Sequence, residues 1–79
     1  MKVLYFAGAQ GLANLRSESL HLKEGSSVKD MAAEMLRLHP ELRGIEPTIR
    51  YSVNFELAES NSLLHDGDEV AVLPPVAGG

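Results

Sequence analysis

There is no cysteine in this sequence. That absence excludes disulfides, thiolate chemistry and any Cys-based metal site, and gives no reason to expect an oxidising compartment. Long apolar runs are missing as well: nothing approaches the roughly 18 residues that a bilayer-spanning helix needs. The opening Met1-Lys2-Val3-Leu4-Tyr5-Phe6-Ala7-Gly8 is too short and too soon interrupted to read as a secretory signal. A cytoplasmic chain with no membrane partner is expected. Basic residues run out part-way along. Residues 1–50 carry seven Lys/Arg against six Asp/Glu, whereas residues 51–79 carry no Lys or Arg and five acids: Glu56, Glu59, Asp66, Asp68 and Glu69. The net charge of −4 disfavours nucleic acid, and any partner of the C-terminal third is expected to be basic. Catalytic signatures are lacking too: there is no GxSxG, no P-loop and no GxGxxG. His21, His39 and His65 lie far apart without ligand spacing and read as surface or loop residues, so no metal is expected. Catalysis by this chain alone is not expected.

What is there is one small domain. A chain of 79 residues buries only about 60% of the surface its unfolded form exposes, which leaves room for one core. With 44% apolar and 23% charged residues, the composition is that of a folded globular domain.

Residues 2–7 read as a strand, with Val3 and Tyr5 on one face and Leu4 and Phe6 on the other. Gly8 and Gly11 bracket an expected turn. Residues 16–23 alternate again, with Leu20 and Leu22 inward, which predicts a hairpin returning along the first strand. Ser27 is a good helix N-cap, and Asp30 stands where a capping box needs its acidic partner. Val28, Met31, Ala32, Met35 and Leu38 then form one apolar stripe, and Pro40 ends the helix near Leu38. The stretch from Glu41 to Pro47 reads as a connection with room for one helical turn. Residues 48–54 alternate strictly, Ile49, Tyr51 and Val53 to one side. Asp66-Gly67-Asp68 signals a tight turn before a last strand, Glu69 to Leu73, with Val70 and Val72 inward and Ala71 and Leu73 outward. The predicted order is β-β-α-β-β, an α+β domain with one main helix across a mixed sheet. A β-grasp (ubiquitin-like) fold has this arrangement, although order alone allows other small α+β folds. Residues 1–73 make the domain and residues 74–79 an extended tail.

Two features exceed what a plain domain requires. The first is the end, Leu73-Pro74-Pro75-Val76-Ala77-Gly78-Gly79. A diproline stops the sheet and directs the chain outward, and six extended residues reach roughly 20 Å. Gly78 and Gly79 suit a narrow channel, because without Cβ the backbone approaches other groups closely and the carboxylate is unhindered. Adenylation would activate that carboxylate, and exchange with a sulfur donor would leave a thiocarboxylate. The second feature is an outward apolar set: Phe6, Leu57 and Leu73 all point away from the helix-covered face and would form one patch at the base of the tail.

The runs Lys2-Val3-Leu4-Tyr5-Phe6-Ala7, Val53-Asn54 and Leu64 through Gly79 resemble the small subunits of molybdopterin synthase, the MoaD/ThiS family of ubiquitin-like sulfur carriers. The resemblance covers essentially the whole chain and is most specific from the Asp66-Gly67-Asp68 turn to the Gly-Gly. It implies a β-grasp fold and a sulfur carrier of molybdenum cofactor biosynthesis that is part of an enzyme only as the small subunit. Gly79 would be the reacting residue. A ubiquitin-activating-like adenylyltransferase/sulfurtransferase would adenylate it with ATP and convert it to a thiocarboxylate, with no cofactor bound permanently. Leu73, Pro74, Pro75, Val76, Ala77 and Gly78 would enter the large subunit of a heterotetramer, with Phe6 and Leu57 as further contacts. There the sulfur would pass to cyclic pyranopterin monophosphate to build the dithiolene. A carrier for thiamine thiazole or tRNA thiolation, or a modifier conjugated to lysines through Gly79, are the alternatives. Gly8-Ala9-Gln10-Gly11, and the polar stretch from Ala58 to Ser62, depart from the family pattern.

Overall fold

A computed structural model describes residues 1–75. Five strands form a mixed sheet in the order β2-β1-β5-β3-β4. They are β1 (Lys2–Tyr5), β2 (Ser17–Ser19), β3 (Arg50–Val53), β4 (Glu56–Ala58) and β5 (Glu69–Leu73), and two helices interleave with them, α1 (Ala7–Ala13) and α2 (Val28–Leu38). The first strand and β5 pair in parallel at the centre, and the remaining neighbours are antiparallel. This is the β-grasp arrangement of an α+β domain.

The main helix begins where its chemistry dictates. The Ser27 hydroxyl accepts from the Asp30 N–H at 3.3 Å, and Asp30 Oδ2 accepts from the Ser27 N–H at 2.9 Å, closing a capping box. Two more N–H groups at this end, on Val28 and Lys29, donate to the carbonyls of Ser62 and Ser60 at 2.9 Å each. The polar stretch from Glu59 to Ser62 is therefore the cover for a helix end whose amides have no partner within the helix. Along α2, Val28, Met31, Ala32 and Met35 are buried and join Val3, Tyr5, Tyr51, Val70 and Val72 in one core. Full burial of such side chains stabilises by about 1.5–3 kcal/mol each. Leu38, expected at the end of this stripe, is 40% exposed, and Leu36 packs on the core instead. Beyond it the connection holds two short 3-10 turns, Pro40–Leu42 and Glu46–Thr48.

Three segments differ from expectation. Gly8 and Gly11 lie inside α1 rather than bracketing a turn. No side chain caps this helix, and two of its seven residues are glycines, each unfavourable in a helix interior by about 1 kcal/mol relative to alanine. It stands because Ala9 and Ala13 are buried in the core, small enough for the helix to lie close. The antiparallel return along β1 is present, but as β2 after a helix, and past its three residues Leu20 still exchanges hydrogen bonds with Met1 while its side chain packs inward. The order β-β-α-β-β is also short by one strand. The polar Glu56–Ala58 segment pairs with β3 as Tyr51↔Ala58, Ser52↔Leu57 and Val53↔Glu56. Its hairpin turns on Asn54 (φ +51°) and Phe55 (φ +72°), both left-handed, as a two-residue type I′ connection requires.

A polar joint ties the sheet to the end of α2. The Tyr5 hydroxyl donates to Glu18 Oε2, the same oxygen lies 2.6 Å from His39 Nε2, and the Tyr5 and His39 rings meet edge-on at 5.6 Å. Burial, then the Glu18 hydrogen bond, pushes the Tyr5 phenol well above its usual range. His39 is thus a partly buried residue with a structural partner, whereas His21 and His65 are exposed.

Candidate functional site

The site grows out of the sheet face opposite α2. Register places Leu4 beside Ala71, Ala71 beside Ser52 and Ser52 beside Leu57, one row across four strands. Small side chains hold the middle of the row and leucines hold its ends, so the face is dished. One step toward the tail, the Phe6 N–H donates to the Val72 carbonyl at 3.3 Å and continues the parallel ladder. Phe6 therefore stands beside Leu73, which pairs on its other side with Arg50. The result is an open groove of about 320 Å³ lined by Leu4, Phe6, Ser52, Phe55, Leu57, Glu69, Ala71 and Leu73. A second hollow of about 270 Å³ continues it over Thr48, Arg50, Leu57, Leu73, Pro74 and Pro75.

Exposure gives the face its meaning. Leu57 is 71% exposed and Phe6 44%, although both sit on strands or at a strand end within a regular sheet. Alternation requires an outward side chain at these positions, but nothing in the fold requires it to be apolar. A contiguous apolar patch of this kind marks a surface that meets another molecule. The structure brings Phe6, Leu57 and Leu73 together as expected, with Pro74 and Pro75 adjoining Leu57 and Leu73. Val76, Ala77, Gly78 and Gly79, also expected in the site, lie outside the described residues.

The end of the groove away from the tail is rigidly built. Asn54 Nδ2 donates to Asp68 Oδ1 at 3.0 Å, and Asn54 Oδ1 accepts from the Glu69 N–H at 3.0 Å. The Asn54 N–H donates to the Glu69 carbonyl at 2.8 Å, and Asp68 Oδ2 accepts from the His65 N–H at 2.8 Å. These contacts hold the Asp68 carboxyl below the usual aspartate range, the His65 N–H first and Asn54 second. Gly67, at φ +88°, makes the turn that returns the chain into β5.

Residues 3–79 match the ThiS family. The chain belongs to it. The molybdopterin synthase sulfur carrier subunit of Chlamydomonas reinhardtii is 35% identical over 81 residues, spanning all of this chain and 98% of that protein. Among solved structures, small archaeal modifier protein SAMP1 from Haloferax volcanii superposes with a TM-score of 0.90 at 26% identity, covering 99% of this chain and 97% of that one. A putative molybdopterin converting factor subunit 1 from Pyrococcus furiosus gives 0.86 at 31% identity, covering 95% of each. The motifs that pointed to the MoaD/ThiS sulfur carriers thus pointed to the right family, and the fold is that of its ubiquitin-like members.

Within the ThiS fold, sequence reasoning missed two parts of the groove. Alternation puts Leu4 on the outer face but does not join it to the patch. Phe55, 90% exposed, escapes sequence reasoning because a two-residue turn without glycine gives little signal in the sequence. Other site chemistry is sparse. No three His, Asp or Glu side chains converge as a metal site needs, and no helix is long and apolar enough to cross a membrane, among the described residues. Tyr51, whose phenol is raised first by burial and then by Glu46, faces the core side of the sheet.

Proposed function

We propose that this chain is the sulfur carrier subunit of a molybdopterin synthase, docking on the large subunit through the apolar groove and delivering sulfur from Gly79. The observation that carries the reading is structural continuity. The strand forming the middle of the groove, β5, ends at Leu73 and runs directly into Pro74-Pro75, so surface and tail base are one continuous stretch of chain. Membership of the ThiS family and full-length similarity to relatives named sulfur carrier subunits support it.

In this reading an activating enzyme directs the Gly79 carboxylate onto the α-phosphorus of ATP, releasing pyrophosphate. A sulfur donor then attacks the acyl carbon, and AMP leaves with the former carboxylate oxygen. The carrier holds a thiocarboxylate (a 1-thioglycine) and gives its sulfur to cyclic pyranopterin monophosphate inside the synthase. The domain performs no chemistry alone. It supplies the docking face that makes transfer local. Similarity to the archaeal modifier SAMP1 favours a second reading, conjugation to lysines through Gly79.

Intact-mass spectrometry after incubation with ATP, activating enzyme and a sulfur source tests both. Carrier chemistry adds about 16 Da, one oxygen exchanged for sulfur, and the gain vanishes when Gly79 is deleted. No gain with a competent activating enzyme refutes the carrier reading, and isopeptide-linked products in its place establish the modifier.

A further inference from the structure

The least explained residue on the docking side is Phe55. A type I′ turn favours Asn followed by Gly, since both central residues need a left-handed backbone. Asn54 obeys this preference, while Phe55 holds φ +72°, a conformation in which a bulky side chain is an outlier. Nothing is gained inside the chain by this choice, for the ring is 90% exposed. It does, however, line the same groove as Phe6, Leu57 and Leu73. The Asn54–Asp68–Glu69 hydrogen bonds fix the turn and so fix the direction in which the ring is offered.

Charge surrounds it. Glu69 lines the groove beside it and Asp68 holds the turn, whereas Glu56, paired with the inward Val53, belongs to the other face of the sheet. Facing them, Lys2 pairs in register with Glu69, and the terminal amine donates to the Leu20 carbonyl nearby in the sheet. No Lys or Arg follows Arg50 in the sequence, and Arg50 lies at the opposite, tail-side end next to Leu73. The Phe55 end thus carries two carboxylates, Asp68 and Glu69, against one lysine, Lys2, and the tail end carries Arg50.

We propose that Phe55 is a pre-organised anchor that inserts into an apolar pocket of the large synthase subunit, and that this pocket is rimmed by Lys or Arg side chains opposite Asp68 and Glu69. The inference rests on the docking reading above and adds to it a second contact point, distant from the tail, that sets the orientation of the carrier on its partner. An aromatic side chain whose backbone is already fixed loses little freedom on binding, the property expected of an interface anchor.

The turn itself supplies a clean test. Phe55→Gly creates the Asn-Gly pair that this turn prefers, so it leaves the melting temperature unchanged or raises it. Titration calorimetry against the purified large subunit is expected to show Kd weakened at least fivefold, and Phe55→Asn, also tolerant of a left-handed backbone, behaves alike. Binding by the unaltered chain is expected to weaken as salt rises from about 0.05 to 0.5 M. Leu73→Ala serves as the control. If Leu73→Ala weakens binding and both Phe55 variants leave it intact, the anchor is refuted while the docking face stands. If none of the three weakens it, the docking face itself is wrong. Affinity indifferent to salt refutes the basic rim.

Discussion

Glu18 is where the sheet and the main helix are fastened together, and its removal has a cost that can be worked out. One carboxylate oxygen accepts the Tyr5 hydroxyl and also lies 2.6 Å from His39 Nε2, at the residue where α2 stops. Tyr5 is 1% exposed, so Glu18→Ala leaves its hydroxyl buried without an acceptor. An orphaned buried donor costs about 1–3 kcal/mol. Loss of the His39 contact adds to this, but Glu18 retains 21% side-chain exposure and water can partly replace it. The expected destabilisation is about 2–3 kcal/mol, and at about 4–8 °C per kcal/mol for a domain of this size the melting temperature falls by about 10–20 °C. Tyr5→Phe removes the donor and keeps the ring, so it costs less, about 1 kcal/mol. The double variant is then less damaging than the sum of the two, because no orphan remains. Thermal and urea denaturation followed by circular dichroism measure all three. A Glu18→Ala protein within about 0.5 kcal/mol of the parent, or strictly additive costs, would falsify this account.

Docking and acid behaviour offer further checks. Phe6→Ala and Leu73→Ala are each expected to weaken binding to the large subunit by about 1–3 kcal/mol in calorimetry, and unchanged affinity would place the contact surface elsewhere. The carboxyls of Asp68 and Asp30 are both held below their ordinary range, chiefly by the backbone N–H groups of His65 and Ser27 respectively. A depressed folded-state value means that the stabilisation is present above the ordinary aspartate value of about 3.9 and is lost as pH falls through the folded-state values. Asp68→Asn keeps an acceptor but not the charge, so it is expected to be less stable than the parent at neutral pH and to converge with it in strong acid. Urea midpoints across that pH range decide, and a gap of constant width contradicts the assignment.

Where sequence and structure part company, the physical reason is specific. Main helix α2 was legible because its signals are local: a Ser27/Asp30 cap, a stripe at helical spacing and Pro40 beyond the end. The last strand was legible for the same reason, through the turn at Gly67 and strict alternation. By contrast α1 carries two glycines and no side-chain cap, and its stability comes from burying Ala9 and Ala13 against distant residues. Propensity cannot report that. The β4 strand was hidden because Leu57 is its outward residue and its inward neighbour is only Ala58, so no alternation of apolar residues marks it. The groove was half legible: alternation found Phe6, Leu57 and Leu73, but the neighbours that unite them, Ala71 and Ser52, are small and mean nothing until strand order is known.

That strand order has a consequence for how the molecule comes into being. The segment synthesised last among the five occupies the middle of the sheet, between the first strand and the third. A nascent chain that has not yet delivered Glu69 to Leu73 has two separate half-sheets and an open centre, and contacts so far apart in sequence form late. A stalled or clipped chain therefore cannot shelter its interior and stays a substrate for proteolysis. Closure of the centre and completion of the apolar groove are the same event, because Ala71 and Leu73 arrive on the strand that fills the gap.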